Sequence, residues 1–242
     1  SLLREFFHRL EQMGIKSVEE VTPEVIDSHY RYLKERPCKG RPGSLSESML
    51  HAHLWAIRIL FSFLQAEGRI DADPFSMLTF PGPKKQQRDV LTSKEIEALY
   101  QATESTLDRV MLGLFYGCGL RKSEAVALDV KDINLRGRLL YVRSGKGKRR
   151  RVVPLTSRVA GDLKKYYYQE RVMTLRKSKY PQGEKAFVLN KLGERMSGES
   201  FWRRFRHLAL RSCIENPVRV TLHSLRHSIA THLLESGLSV EQ

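Results

Sequence analysis

Cysteine is scarce in this chain: three in 242 residues, at Cys38, Cys118 and Cys213. So few, so far apart and odd in number, they offer neither a disulfide framework nor zinc-ligand spacing, and a reducing cytosol is the economical expectation. Long apolar runs are missing as well. No stretch reaches the length of a membrane span, and the longest, Val110 to Gly117, is a buried helix at most. The N-terminal residues lack the basic-then-apolar pattern of an export signal. Acidic residues are short in one part only. Residues 1–80 carry 10 Lys/Arg against 11 Asp/Glu, whereas residues 81–242 carry 32 against 16.

What is present is a globular composition, 41% apolar and 29% charged, long enough for one large domain or two ordinary ones. The formal net charge of +15 and a pI near 9.9 point to a polyanionic partner. A uniformly solubilising surface would not confine that excess to residues 81–242, so the partition favours a binding face.

Residues 1–80 read as a compact helical unit. Leu2, Leu3, Phe6, Phe7, Leu10 and Met13 fall at helical spacing. Thr22-Pro23 starts a second helix with Ile26, Tyr30 and Leu33 inward. Leu50, Leu54, Ile57, Phe61 and Leu64 line a third from about Ser46 to Gly68, and Asp73-Pro74 opens a short fourth. Residues 81–90, with Pro81, Gly82 and Pro83, form a linker. Beyond it, Thr92-Ser-Lys-Glu95 is a capping box. Residues 91–242 form a second domain of mixed α+β character. Leu139–Arg143 and Arg151–Leu155 flank a glycine-containing turn as a hairpin, and Ala186–Leu189 is a candidate third strand. Helices are expected at roughly 157–175, 198–213 and 222–236.

Three basic motifs stand out. Arg121 follows the glycine-containing turn Gly117-Cys-Gly-Leu120 and precedes an apolar helix, so it needs a partner, for which Glu124 on the same helical face is one candidate. A buried Arg–Glu pair with no other role is the competing explanation. His223 and Arg226 lie at i and i+3 on an otherwise apolar helix that begins at Thr221, where backbone N–H groups reinforce an anion site; His227 and His232 share it. Lys146 stands in a turn bracketed by Gly145 and Gly147, followed by Lys148, Arg149, Arg150 and Arg151, a basic strand suited to phosphate contacts. Two arginines, a histidine and a lysine brought together can hold a phosphodiester, stabilise its charge under attack and protonate a departing oxygen.

These motifs resemble those of the tyrosine recombinases, the family of phage and transposon integrases and Xer-type recombinases. Gly119-Leu-Arg121-Lys-Ser-Glu124 is similar to the family's first arginine motif, Gly145-Lys146-Gly-Lys-Arg with Val152-Val-Pro-Leu155 to its lysine hairpin, and Thr221-Leu-His223-Ser-Leu-Arg226-His227 to its second motif. The resemblance implies a helical, SAM-like core-binding domain of four helices at residues 1–80. It implies a mostly helical catalytic domain with a small antiparallel sheet at residues 91–242. Arg121 and Arg226 would clamp the scissile phosphate, each such donor worth roughly 10²–10³ in rate. Lys146 would be the general acid, His223 would assist proton transfer, and Glu124 and His227 would support them. Lys148, Arg149, Arg150 and Arg151 would contact DNA.

The implied activity is site-specific DNA recombination through a 3′-phosphotyrosine and Holliday-junction intermediates, with neither metal nor other cofactor. The implied partners are double-stranded DNA and further copies of the chain, a tetramer on DNA in the family, and no membrane. A cytoplasmic, nucleoid-associated prokaryotic protein follows. In the family the nucleophilic tyrosine lies roughly thirty residues past the second arginine. Gln242 is sixteen residues past Arg226. The chain therefore reads as a core without its nucleophile, able to bind DNA and not to cut it. A DNA-binding regulator of the same fold and a type IB topoisomerase are the alternatives.

Overall fold

A computed structural model describes residues 2–37, 43–82, 90–143, 150–178 and 185–238. The chain divides into two compact units, Ser1–Gln86 and Gln87–Gln242. Of the expected linker at 81–90, residues 83–89 lie outside the described residues.

The first unit comprises α1 (Leu2–Gln12), a 3-10 turn at Val18–Glu20, α2 (Pro23–Glu35) and α3 (Glu47–Ala66). Each start is set locally. Ser17 and Glu20 form a capping box, Pro23 occupies the first turn of α2, and the Ser46 side chain accepts the Met49 N–H. Gly68 at φ +64° ends α3 in the left-handed region that suits glycine. Phe6, Ile26, Ile57 and Phe61 are wholly buried and form the centre of a core with Leu10, Leu54 and Phe75. The helix expected at Asp73-Pro74 does not form. Residues 74–77 are a hydrogen-bonded turn in which Asp73 Oδ1 accepts the Phe75 N–H at 2.9 Å, and Phe75 drops into the core. Pro81 follows too closely for another helical turn to continue. Among the described residues this unit therefore has three α-helices, not four.

The second unit opens with α4 (Ser93–Gln101), where Thr92 and Glu95 make the expected capping box. Then follow α5 (Thr106–Leu112), a π-helical turn at Gly113–Gly117, α6 (Lys122–Ala127) and a 3-10 turn at Val130–Asp132. The strands β1 (Ile133–Asn134), β2 (Leu139–Val142) and β3 (Arg151–Pro154) pair antiparallel in sequence order, with Leu139 opposite Pro154 and Val142 opposite Arg151. Helices α7 (Ser157–Tyr168), α8 (Glu170–Lys177), α9 (Gly198–Arg211) and α10 (Leu222–Glu235) complete it.

Two expectations need correction here. The sheet's third strand is Ile133–Asn134, not Ala186–Leu189, which makes only isolated bridges, Asp129 to Ala186 and Leu189 to Arg195. That segment is buried and apolar because it runs through the core, and β periodicity alone does not separate the two cases. The helix expected at 157–175 breaks at Gln169, whose φ −112° and ψ −81° leave the α region. The break lets Arg171 turn inward, where its Nη2 donates to the Ala186 carbonyl at 2.9 Å.

Phe115, Phe201, Phe205 and Leu225, all wholly buried, tie α9 and α10 to the π-helical turn within one core. The Leu91 N–H donates to Ser228 Oγ at 2.8 Å, which fixes the residue just before α4 to α10. Among the described residues no helix is long and apolar enough to cross a membrane.

Candidate active site

The apolar helix α5 delivers the chain into the π-helical turn, whose exit is locked by the Cys118 N–H to the Gly113 carbonyl at 2.8 Å and the Leu120 N–H to the Leu114 carbonyl at 3.0 Å. Gly119 takes φ +57°, a conformation that costs most side chains energy. This sharp turn places Arg121 immediately before α6. Glu124, one helical turn on, reaches back: its Oε2 accepts the Arg121 N–H at 2.8 Å, and its Oε1 accepts from Arg121 Nη1 at 3.0 Å.

The Glu124 side chain is 2% exposed, so one arginine at i−3 is too little to offset its desolvation. The remainder comes from β3. Arg151 approaches end-on, Nη1 to Oε1 at 2.8 Å and Nη2 to Oε2 at 2.7 Å, the two-pronged geometry that suits a carboxylate. From α10, Arg226 Nη1 lies 3.9 Å from Glu124 Oε2 and donates to the Gly119 carbonyl. Three guanidiniums from three separate elements thus surround one buried carboxylate.

Burial pushes the Glu124 carboxyl upward, but the hydrogen bonds from Arg151 and from the backbone and side chain of Arg121 outweigh it and hold the group at about 2. Its charge is therefore permanent at any ordinary pH. Arg151 moves the opposite way, raised by its hydrogen bonds to Glu124. Arg226 is lowered, first by burial and then by the like charge of Arg121. Three positive charges against one negative leave an excess of two, which an anion relieves. Arg121 commits Nη1 to Glu124 and Arg226 commits Nη1 to Gly119, and each guanidinium has five N–H donors in all. An anion is the natural remaining acceptor.

His223 stands one helical turn before Arg226 on α10, which Thr221 caps by accepting the Ser224 N–H. Its Nε2 lies 2.8 Å from His227 Nε2, with the rings 4.2 Å apart and nearly perpendicular. A hydrogen bond between two imidazole nitrogens requires one proton and one lone pair, so one Nε2 donates and the other accepts. Farther along α10, His232 Nδ1 meets the Tyr116 hydroxyl at 3.0 Å. The helix is therefore pinned to the 113–120 segment at two heights, by Arg226 and by His232.

The structure thus brings Arg121, Glu124 and Arg226 together and places His223 and His227 beside each other on the same helix as Arg226. Lys146, Lys148 and Arg149 lie outside the described residues. Arg150 is exposed. Arg151, grouped on sequence with the DNA-contacting run, instead turns toward Glu124, because the buried carboxylate competes for it at short range. The sequence signal for that pairing was available in part: a carboxylate on the apolar side of α6 demands more than one donor. Which strand residue supplies the second is a matter of tertiary register.

Two further arginines brace this region through three ion pairs that were not anticipated. Arg143, at the end of β2, binds Asp129 at 2.6 Å and Asp132 at 2.7 Å. Arg195 binds the other Asp129 oxygen at 2.5 Å and caps the Val126 carbonyl at 2.8 Å, in the last turn of α6.

Residues 89–242 match the sequence model of the phage integrase family. The chain is 34% identical over 231 residues to the tyrosine recombinase XerC of Natranaerobius thermophilus, an alignment covering 94% of this chain and 74% of that protein. It is 32% identical over 229 residues to the tyrosine recombinase XerD of Halalkalibacterium halodurans, covering 92% and 72%. Among solved structures, the Tn1549 transposon integrase (residues 82–397), in complex with circular intermediate DNA, aligns at a TM-score of 0.70. That alignment has 18% identity and covers 98% of this chain and 81% of that one. XerA recombinase aligns at a TM-score of 0.56 and 23% identity, covering 99% and 77%. At such identities the structural likeness is one of fold.

Proposed function

The chain belongs to the phage integrase family of tyrosine recombinases, and we propose that it binds double-stranded DNA at a specific site and holds the scissile phosphate between Arg121 and Arg226. The convergence of both guanidiniums on the Glu124 carboxylate, with donors left over and two positive charges in excess, carries this reading. The +16 excess of residues 81–242 supplies the longer-range attraction to a phosphate backbone.

In the reaction, a tyrosine hydroxyl attacks the phosphorus, the P–O5′ bond breaks and a 3′-phosphotyrosine forms. The phosphate bond is preserved for a later 5′-hydroxyl to reverse the step on another strand. Arg121 and Arg226 neutralise the non-bridging oxygens as charge accumulates there. His223, hydrogen-bonded to His227, assists proton transfer at the attacking hydroxyl. Lys146 delivers a proton to the 5′ oxygen. Residues 1–80 act as the core-binding domain that grips the duplex, and copies of the chain assemble on DNA to exchange strands through a Holliday junction. The protein works in the prokaryotic cytoplasm at the nucleoid.

The attacking tyrosine is, in this reading, none of the nine in residues 1–242. Tyr100 and Tyr166 are buried, the latter accepting the Leu189 N–H at 3.0 Å, and burial raises both to about 12. The Tyr116 hydroxyl is engaged by His232. Tyr167 and Tyr168 stand on α7, which does not contribute to the arginine group.

The test is a pair of assays on residues 1–242. Duplexes selected from a random pool are examined for binding by mobility shift and for covalent attachment on denaturing gels. The expected result is duplex binding without an SDS-stable species. An SDS-stable adduct would place the nucleophile within these residues, and failure to bind any duplex would overturn the reading as a whole.

A further inference from the structure

Arg151, grouped on sequence with the DNA-contacting run, makes the shortest and most symmetric side-chain contacts with Glu124. We propose that Arg151 is a positioning residue. It fixes the Glu124 carboxylate by a two-pronged ion pair, and through it sets the orientation in which Arg121 and Arg226 receive a phosphate. The proposal rests on the phosphate-binding reading above and deepens it.

Both terminal nitrogens of Arg151 point at Glu124, at 2.8 Å and 2.7 Å. A guanidinium that presents its two Nη groups to one carboxylate has turned its strongest bidentate edge away from any other anion. Arg121 and Arg226 differ in this respect. Each uses one Nη toward the protein, Arg121 on Glu124 and Arg226 on the Gly119 carbonyl. The division of labour follows from donor geometry: one arginine is consumed in holding the carboxylate and two are held by it.

The anchor is stiff at both ends. Arg151 is the first residue of β3, paired across the sheet with Val142, and Arg143 directly follows β2. Arg143 in turn is clasped by Asp129 and Asp132, which follow α6 directly. The two strands are therefore each tied by an arginine to the α6 region, Arg151 to its first turn and Arg143 to its exit. Arg121 is thereby referred to a sheet and not only to its own short helix. A six-residue helix such as α6 has little stability alone, so an external reference of this kind is what would keep Arg121 within the few tenths of an ångström that phosphate positioning demands.

The test uses sulfate, a dianion throughout the pH range of the experiment, titrated into the chain carrying 15N-labelled arginine. Binding is read at the Arg121 and Arg226 Nε–H signals, assigned with Arg121→Ala and Arg226→Ala. Arg151→Gln is expected to weaken sulfate binding at these signals about tenfold. Arg151→Lys keeps the charge and the fold at this half-exposed position but cannot make two parallel bonds, and it is expected to weaken binding at least threefold. The double variant Glu124→Gln/Arg151→Gln is expected to bind no more weakly than Glu124→Gln alone, since Arg151 acts only through that carboxylate.

Wild-type affinity in Arg151→Lys would reduce the residue to a source of charge and overturn the proposal, as would unchanged affinity in Arg151→Gln. Losses that multiply in the double variant would mean direct contact with the anion and overturn it equally. Absence of any sulfate response in the wild type would instead overturn the phosphate-site reading itself, and this inference with it.

Discussion

Arg226 donates a hydrogen bond to the carbonyl of Gly119, 107 residues earlier in the chain. The contact joins the two arginine motifs through backbone as well as through charge. Gly119 offers that carbonyl from the left-handed region, at φ +57°. A Cβ at this position would sit 3.6 Å from Ile229 Cγ2, an ordinary contact, so the barrier to substitution is conformational and not steric.

Gly119→Ala is therefore expected to destabilise the chain by about 1–2 kcal/mol, the cost of a left-handed non-glycine residue. Urea unfolding at pH 7 measures it. Arg226 should also lose its backbone acceptor, so sulfate binding at its Nε–H signal should weaken along with stability.

Glu124→Gln should cost roughly 2 kcal/mol at pH 7. A buried ion pair broken on one side is expensive, but the partner arginines are each about a third exposed and water compensates in part. The pH dependence has a definite sign. The folded carboxyl sits at about 2, below its ordinary 4.5, so its contribution is complete above pH 4.5 and lost as pH falls through 2. Wild type and variant should accordingly differ in unfolding midpoint at pH 7 and approach each other as the pH drops toward 2.

A second acid-sensitive element lies in the first unit. His29 is wholly buried, and neither ring nitrogen has a hydrogen-bond partner. Burial first, then the positive charge of His53, Arg9 and Arg36, lowers it to about 4. The unfolded chain takes up the proton near 6.5 and the folded one near 4. Stability is thus full above 6.5, declines by up to about 1.4 kcal/mol per pH unit between 6.5 and 4, and levels below. His29→Leu should flatten much of this slope in thermal unfolding followed over that range.

How far the sequence could be read differs between fold and site for physical reasons. The helices of the first unit announce themselves because apolar residues at three- and four-residue spacing are bounded by Thr22-Pro23, Ser46 and Gly68, whose effects are local. The turn at Asp73-Pro74 was misread because a helix start and a single turn share their first residues, and only the burial of Phe75 decides between them. Arg121, Glu124, His223 and Arg226 were legible from spacing within their own short segments. The role of Arg151 was not, since it follows from which residue of β3 faces α6, and pairing register is a tertiary fact. His29 escaped notice for a related reason: on α2 it reads as an ordinary polar residue beside Tyr30, and only packing against Phe6 and α3 seals it from water.

Duplex affinity should fall steeply with salt, as many phosphates are neutralised at once. A plot of log affinity against log salt concentration measures it. Arg121→Ala should make that slope shallower by about one, leaving most of the binding intact.

The most direct measurement replaces single backbone phosphates of a bound duplex, one at a time, by neutral methylphosphonates. If Arg121 and Arg226 grip one phosphate, a single position on the strand should show a marked loss of affinity in the wild type, and that loss should vanish in Arg121→Ala/Arg226→Ala. If every position weakens wild type and double variant alike, the two arginines hold no particular phosphate and the account is contradicted.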